Sequence, residues 1–422
     1  MTNKYTLIFD GNFFLNKVFA VAQKIKFTST KKVLDFNEEY DDDKNILLWK
    51  LALDFAAEIK RFSDITDSII YTVDSSSWRK TTFPAEDYKG HRKKVSTLNW
   101  DGIFKTHDEF VLALEKCGVI ISKVSKCEGD DLLFVWSKTL NQQDRNVIII
   151  SGDNDLLQLA NVENEANTIF FNKFDKNLHT FRGFKKWLDT SDSDPVDIFA
   201  LSTKSSTVKD DLKKIMKSSK MEIDEINVNE YIFKKILTGD AGDNVSPLYT
   251  KIKTSKTGKD SVFGVTDRHV GLIMDQYKTQ HPFIAESHFF NDETIKFICD
   301  IAKEVIKIEE TDLDLTIKWK INRDLVFLHG KCIPADIMDS MHKHIASFKS
   351  TIISGDHFNA VKSKDSILVH SSYVDTTVNE MNDSSVFKKI VPKASQTKVI
   401  ITSTPNLQDS GFDANFWNNL IN

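Results

Sequence analysis

The chain has 422 residues, 41% hydrophobic and 28% charged, with 56 Lys plus Arg against 61 Asp plus Glu, a net charge of -5 and a mean hydropathy of -0.31. At roughly 100–200 residues per domain this suits two or three globular domains with a core rich in phenylalanine, and it excludes a small stapled scaffold, a fibrous chain and a disordered one. Cys117, Cys127, Cys299 and Cys332 lie far apart without a CxxC pair, which argues against a disulfide framework or a structural zinc site and for a reducing compartment. The first residues run directly into a strand and no run of roughly 18 apolar residues occurs, so neither secretion nor membrane spanning is expected.

In chain order, alternating or continuous apolar runs predict strands over 5–10, 68–74, 119–124, 146–153 and 167–173. Helical spacing predicts helices over 44–62, 107–118 and 129–140, between those strands. Strand and helix in alternation indicate an α/β domain with a mainly parallel sheet over residues 1–185. From about residue 186 the pattern turns helical, with helices expected over 228–239, 269–280, 292–307 and 334–348 and polar connections at 189–195 and 201–211. Residues 350–422 are serine-rich with short β-prone runs, and read either as a small third domain or as an extension.

Acidic residues recur where these strands end: Asp10, Asp74, and the pair Asp153 and Asp155. In open α/β sheets that edge binds ligands. A single aspartate after a strand is most often a turn former or a helix cap, but three strand ends favour a shared site. Glu128, Asp130 and Asp131 enter a helix in CEGDDLL, where an acidic first turn also suits the helix dipole. Asp240 and Asp243 leave a helix in GDAGDN. Asp10, Asp74, Glu128, Asp130, Asp153, Asp155, Asp240 and Asp243 thus supply carboxylates with no evident internal counter-ions. Oxygen donors without histidine or thiolate suit two magnesium ions, or manganese, and a two-ion site can activate water for phosphodiester hydrolysis.

The net charge conceals a basic stretch. Between Arg79 and Lys94, six basic residues (Arg79, Lys80, Lys89, Arg92, Lys93, Lys94) stand against Glu86 and Asp87, a local surplus of +4. Such a patch can hold a phosphate backbone despite an acidic whole, or can simply be a solvated loop.

IFDGNFFL, TVDSSSWRK, DYKGHRKK, CEGDDL, IISGDNDLLQL and ILTGDAGDN occur in the order found in the structure-specific 5' nucleases, and over residues 4–345 the chain resembles that family. It is most similar to the branch of bacteriophage ribonuclease H of the T4 type. The resemblance implies a PIN-like α/β nuclease domain with a basic arch near 78–100, followed over 186–349 by a helical domain that binds duplex. It implies a metal-dependent 5'-3' exonuclease and flap endonuclease with ribonuclease H activity, removing RNA primers and 5' flaps during phage DNA replication. Such a protein would act as a monomer in the cytoplasm of the infected bacterial host, away from membranes.

By the same resemblance Asp10, Asp74, Glu128, Asp130 and Asp153 surround a first metal site, and Asp155, Asp240 and Asp243 a second, with Asp131 supporting them from behind or capping its helix. Lys89 and Arg92 would contact the reactive phosphate, Arg79 the gateway, and Lys80, Lys93 and Lys94 the backbone, while Tyr88 and Trp78 would either stack on an unpaired base or pack the arch. The helix-turn-helix segment expected over 228–280 departs from the family, because the linking stretch SPLYTKIKTSKTGKDSVFGVTDRH is long and lacks closely spaced glycines. That makes K+ binding doubtful but leaves Lys251, Lys253, Lys256 and Lys259 for phosphate contacts. The terminal GFDANFWNNLIN can dock on a replication partner such as a sliding clamp, or cover the protein's own core, and a phage single-strand binding protein is a further expected partner. Two rival readings are a noncatalytic DNA-binding protein on the same fold and a toxin-like single-strand ribonuclease; the second is usually a much shorter chain.

Overall fold

The computed structural model describes residues 4–24, 36, 40–90, 98–163, 166–189, 206–254, 260–281, 290–308 and 314–348. The opening runs are β1 (Tyr5–Asp10), α1 (Gly11–Lys24), α2 (Tyr40–Phe62), β2 (Thr66–Thr72), the short α3 (Trp78–Thr82), α4 (Trp100–Lys116), β3 (Ile120–Ser122), α5 (Gly129–Asn141) and β4 (Asn146–Ser151). They are followed by β5 (Asn161–Glu163), β6 (Ala166–Asn172), β7 (Leu178–Phe181), α6 (Phe184–Asp189), α7 (Ser206–Ser219) and β8 (Ile223–Ile226). The remainder is α8 (Val228–Thr238), β9 (Thr250–Thr254), β10 (Asp260–Gly264), α9 (Asp267–Gln280), α10 (Asp292–Ile306), α11 (Leu315–Val326) and α12 (Ala335–Ser347).

The strands form one mixed, mostly parallel sheet in the order β3-β2-β1-β4-β6-β7-β8, with β5 hydrogen-bonded to β6. β1 pairs in parallel with β2 and β4, and β6 continues in parallel from β4. Antiparallel β7 then turns back, and β8 pairs in parallel with it. The sheet therefore runs to Ile226, past residue 185, where composition alone had suggested that the α/β part ends. β8 is short and only its first residue is buried, so it carries no apolar alternation to reveal it.

Both faces of the central strands are covered, which is why β1 and β4 read as continuous apolar runs. Tyr5, Leu7 and Phe9 join the core beneath α1, α2 and α4, while Ile8 joins the core beneath α5 and α12 on the opposite face. Edge-on aromatic pairs of Phe14 and Phe55 with Tyr71 knit the first core, each contributing about 0.5–1.5 kcal/mol beyond the buried area. A third core forms from α8, α9, α10 and α11 around Phe233, Ile298 and Trp319. Leu328, Ile337 and Met341 return to the α5 side of the sheet, so the last helix buttresses the α/β half.

The long stretch between α8 and α9, which lacks closely spaced glycines, builds an antiparallel two-stranded ribbon from β9 and β10. Helices α1, α3, α6, α7 and α11 fall outside the helices expected from periodicity, and α7 begins within 201–211, expected as a polar connection. No helix among the described residues is long and apolar enough to cross a membrane. The reading of residues 350–422, including the terminal peptide, lies outside the described residues.

Candidate metal centre

The chain leaves β1 outward to β2 and β3, then returns to the other side of β1 as β4. This reversal of strand order opens a crevice at the carboxyl ends of β1 and β4, where α/β folds place ligands. Asp10 ends β1: one carboxylate oxygen accepts from the Phe13 amide at 3.0 Å, capping α1, and the other from Ser151 Oγ of β4 at 2.7 Å. Asp153 follows β4 and accepts from the Asp155 amide at 2.9 Å. Asp74, two residues beyond β2, accepts from the Gly129 amide at 2.6 Å. A Cβ at Gly129 would lie 2.7 Å from that Asp74 oxygen, so the contact requires glycine. Asp130 lies in the first turn of α5.

These four acids are held where they ionise reluctantly. Burial, and then the nearby Asp74 and Asp153 carboxylates, push Asp10 from the ordinary 3.8 to about 7. Asp74 is pushed to about 6 by burial and by Glu128. Asp130 is driven well above the carboxylate range by burial and by Asp153 and Asp10, and Asp153 is raised by burial. Among the described residues none of the four has an ion-pair partner. Hard oxygen donors confined in this way suit a divalent cation, which would supply the missing positive charge.

The other four expected ligands differ, and here the expectation that the acids have no internal counter-ions is overturned. Glu128, the N-cap of α5, pairs with Lys89 Nζ at 2.6 Å and Arg79 at 3.0 Å. Burial opposes its ionisation, but Lys89 and Arg79 prevail and hold Glu128 at about 2. Lys89 Nζ is also 3.7 Å from Asp243. Asp155 and Asp240 share Lys235, which the sequence reading did not single out. Although burial works against the ammonium, Asp155 keeps Lys235 firmly charged, and Lys235 in turn lowers Asp240. The Asp240–Asp243 turn is itself fixed: Gly239 has a φ of 72°, and Asp240 and Val245 exchange two backbone hydrogen bonds of 2.8 Å.

Two of the basic-segment expectations change. Arg79 is not a gateway residue at the surface: it is 2% exposed, and its guanidinium bonds Asp131 at 2.9 Å, Glu128 and the Leu325 carbonyl while stacking on Trp78. It braces α3 and α5 against the end of α11. Trp78 is likewise buried and donates to Asp131 at 3.1 Å, which removes it as a stacking platform. Asp131 also accepts from the Glu128 amide, so its carboxylate serves the α5 entry.

Tyr88 is 5% exposed; its hydroxyl donates to Asp243 at 2.8 Å and its ring lies beneath Lys89. The Lys89 amide bonds the Asp243 carbonyl, and Asn244 Nδ2 bonds the Asp87 carbonyl, so the base of the expected arch is seated on the GDAGDN turn. Lys80 and Lys251 are exposed, and Lys253 pairs with Ser261 in the ribbon. Arg92, Lys93, Lys94, Lys256 and Lys259 lie outside the described residues.

A separate exposed group, Asp175, His179 and Asp224, has ligand atoms within 4.8 Å of one another beside the β6–β7 turn, and the sequence reading named none of the three. Among the described residues no three of the crevice acids come that close, so an ion entering the crevice has to draw carboxylates together.

Residues 5–186 match the family model described as 5'-3' exonuclease, N-terminal resolvase-like domain. No curated protein matches. Solved structures similar to the chain include a bacteriophage T5 flap endonuclease in a pseudo-enzyme-product complex with DNA and metal ions, 16% identical with a TM-score of 0.47, covering 83% of this chain and 99% of that one. A bacteriophage T5 5'-exonuclease with bound divalent zinc is also 16% identical with a TM-score of 0.47, covering 83% of this chain and 100% of the other.

Proposed function

We propose that this protein is a magnesium-dependent 5'-3' nuclease that removes RNA primers and 5' flaps from duplex DNA during phage replication, of the T4-type ribonuclease H branch and with a PIN-like nuclease domain. The observation that carries this reading is the set Asp10, Asp74, Asp130 and Asp153 at the strand-order reversal, the first buried and the others half-buried, raised in pKa and without a basic partner among the described residues. Two divalent ions, magnesium or manganese, held by these acids and by Glu128, Asp155, Asp240 and Asp243, would supply a hydroxide nucleophile and neutralise the leaving oxygen.

The chain's own groups do the rest. Asp10 and Asp153 are kept in place by Ser151 and by backbone amides, so their oxygens need little reorganisation. Lys89, whose ammonium lies over the acid cluster, is placed to meet a phosphate there, with Arg92 following it in the chain. Lys80, Lys93 and Lys94 would guide the 5' strand, and Lys251, Lys253, Lys256 and Lys259 would hold duplex backbone on the helical region, without reading base identity. A phage single-strand binding protein or sliding clamp is the proposed protein partner.

Incubation with a labelled 5' flap, an RNA:DNA hybrid and free single-stranded RNA tests the proposal. Cleavage of the first two in magnesium is expected. Cleavage of free RNA alone would favour the toxin-like ribonuclease, and tight binding without cleavage a noncatalytic DNA-binding protein.

A further inference from the structure

The basic neighbours divide the acid cluster unequally. Asp10, Asp74, Asp130 and Asp153 have no ion-pair partner among the described residues, whereas Lys235 is shared by Asp155, beyond β4, and Asp240, beyond α8. The ammonium is also 5.8 Å from the Tyr231 ring centroid, one turn earlier on α8. Tyr231 in turn donates to the Asn154 carbonyl at 2.8 Å, fastening α8 beside the Asp153–Asp155 turn. A single positive charge thus joins one acid from the sheet edge to one from the GDAGDN turn, a bridge that a divalent ion would make with twice the charge. The lysine stem is flexible, so the ammonium can leave by side-chain rotation alone.

We infer that Lys235 is a displaceable internal cation that closes the Asp155–Asp240 half of the site to a divalent ion until an incoming phosphate offers its ammonium another anion. This rests on the reading of the acid cluster as a metal centre. In the DNA-free protein one ion then binds at the Asp10, Asp74, Asp130 and Asp153 half, and a second binds only weakly. Substrate binding draws Lys235 away from its two carboxylates and lets the second ion enter. Loading of the complete centre is thereby tied to the presence of a phosphodiester strand, and the DNA-free protein is spared a fully assembled hydrolytic site.

Manganese titration of the full chain without DNA, read by calorimetry and by the electron paramagnetic resonance of free Mn2+, tests this independently of cleavage. Lys235→Met should bind the second ion at least about tenfold more tightly than the unaltered protein, whereas Lys235→Arg, which keeps the charge, should not. A flap duplex with a non-hydrolysable backbone should strengthen second-ion binding in the unaltered protein by a similar factor and do much less in Lys235→Met. Lys235→Gln provides the same neutral test if the methionine variant misfolds. Equal second-ion affinity in the neutral variants and the unaltered protein would overturn the inference. Absence of any Mn2+ binding by the unaltered protein would instead overturn the metal-centre reading.

Discussion

Replacing Asp10 by asparagine should stabilise the metal-free protein. Asparagine can still accept from the Phe13 amide and can donate to Ser151 Oγ, so both contacts of Asp10 survive the change. What disappears is the ionised carboxylate, which burial and its acidic neighbours hold at about 7 instead of 3.8. That difference corresponds to about 4 kcal/mol at full ionisation, and relaxation of the surrounding acids brings the expected gain to roughly 2–4 kcal/mol.

The sign follows from the folded pKa lying above the unfolded one. The penalty is absent below about pH 4, grows as the unfolded chain ionises and the folded one does not, and is complete above about pH 7. Thermal melts in chelator should therefore show Asp10→Asn about 5–10 °C above the unaltered protein at pH 8 and equal to it at pH 4. Magnesium should raise the melting temperature of the unaltered protein at pH 8 and have much less effect on the variant. A variant less stable than the unaltered protein at pH 8 in chelator would refute this electrostatic reasoning.

Arg79→Met leaves Asp131 and Glu128 without their buried guanidinium, and should cost about 3–5 kcal/mol in urea unfolding; a loss under about 1 kcal/mol would show that the brace is dispensable. Gly129→Ala forces a methyl group against Asp74, and should lower single-turnover cleavage at least about tenfold while the fold persists; an unchanged rate would mean that Asp74 is not held by this contact. Tyr88→Phe keeps the ring and removes the bond to Asp243, so reduced cleavage supports an anchoring role, and an unchanged rate returns Tyr88 to simple packing.

Strands β1, β2, β3, β4 and β6 were legible from their apolar runs, continuous where both faces are covered, as in NVIIIS of β4. Strands β5, β7 and β8 and the β9–β10 ribbon were not. β8 is IDEI, short and half exposed, and β9 reads TKIKT, so what specifies them is pairing with a neighbour. The acid cluster could be gathered from sequence because its members sit at strand ends or helix entries. Its counter-ions could not, since Lys235 meets an acid 80 positions away and Arg79 reaches acids 49 and 52 positions away. A basic residue in a basic stretch looks like surface, and Arg79 becomes core only once α3, α5 and the end of α11 converge on it. A lysine five residues before Asp240 was the available signal for Lys235, because helix α8 and the tight turn after it bring the two together.

The most direct measurement is single-turnover cleavage of a 5'-labelled RNA-primed duplex and a matched 5'-flap duplex, in magnesium and in chelator, with Asp130→Asn alongside. The account predicts magnesium-dependent products from both substrates, lost by at least about a hundredfold in a variant that still binds duplex. Cleavage that persists in chelator, or near-normal turnover by Asp130→Asn, would contradict a metal centre built on these carboxylates.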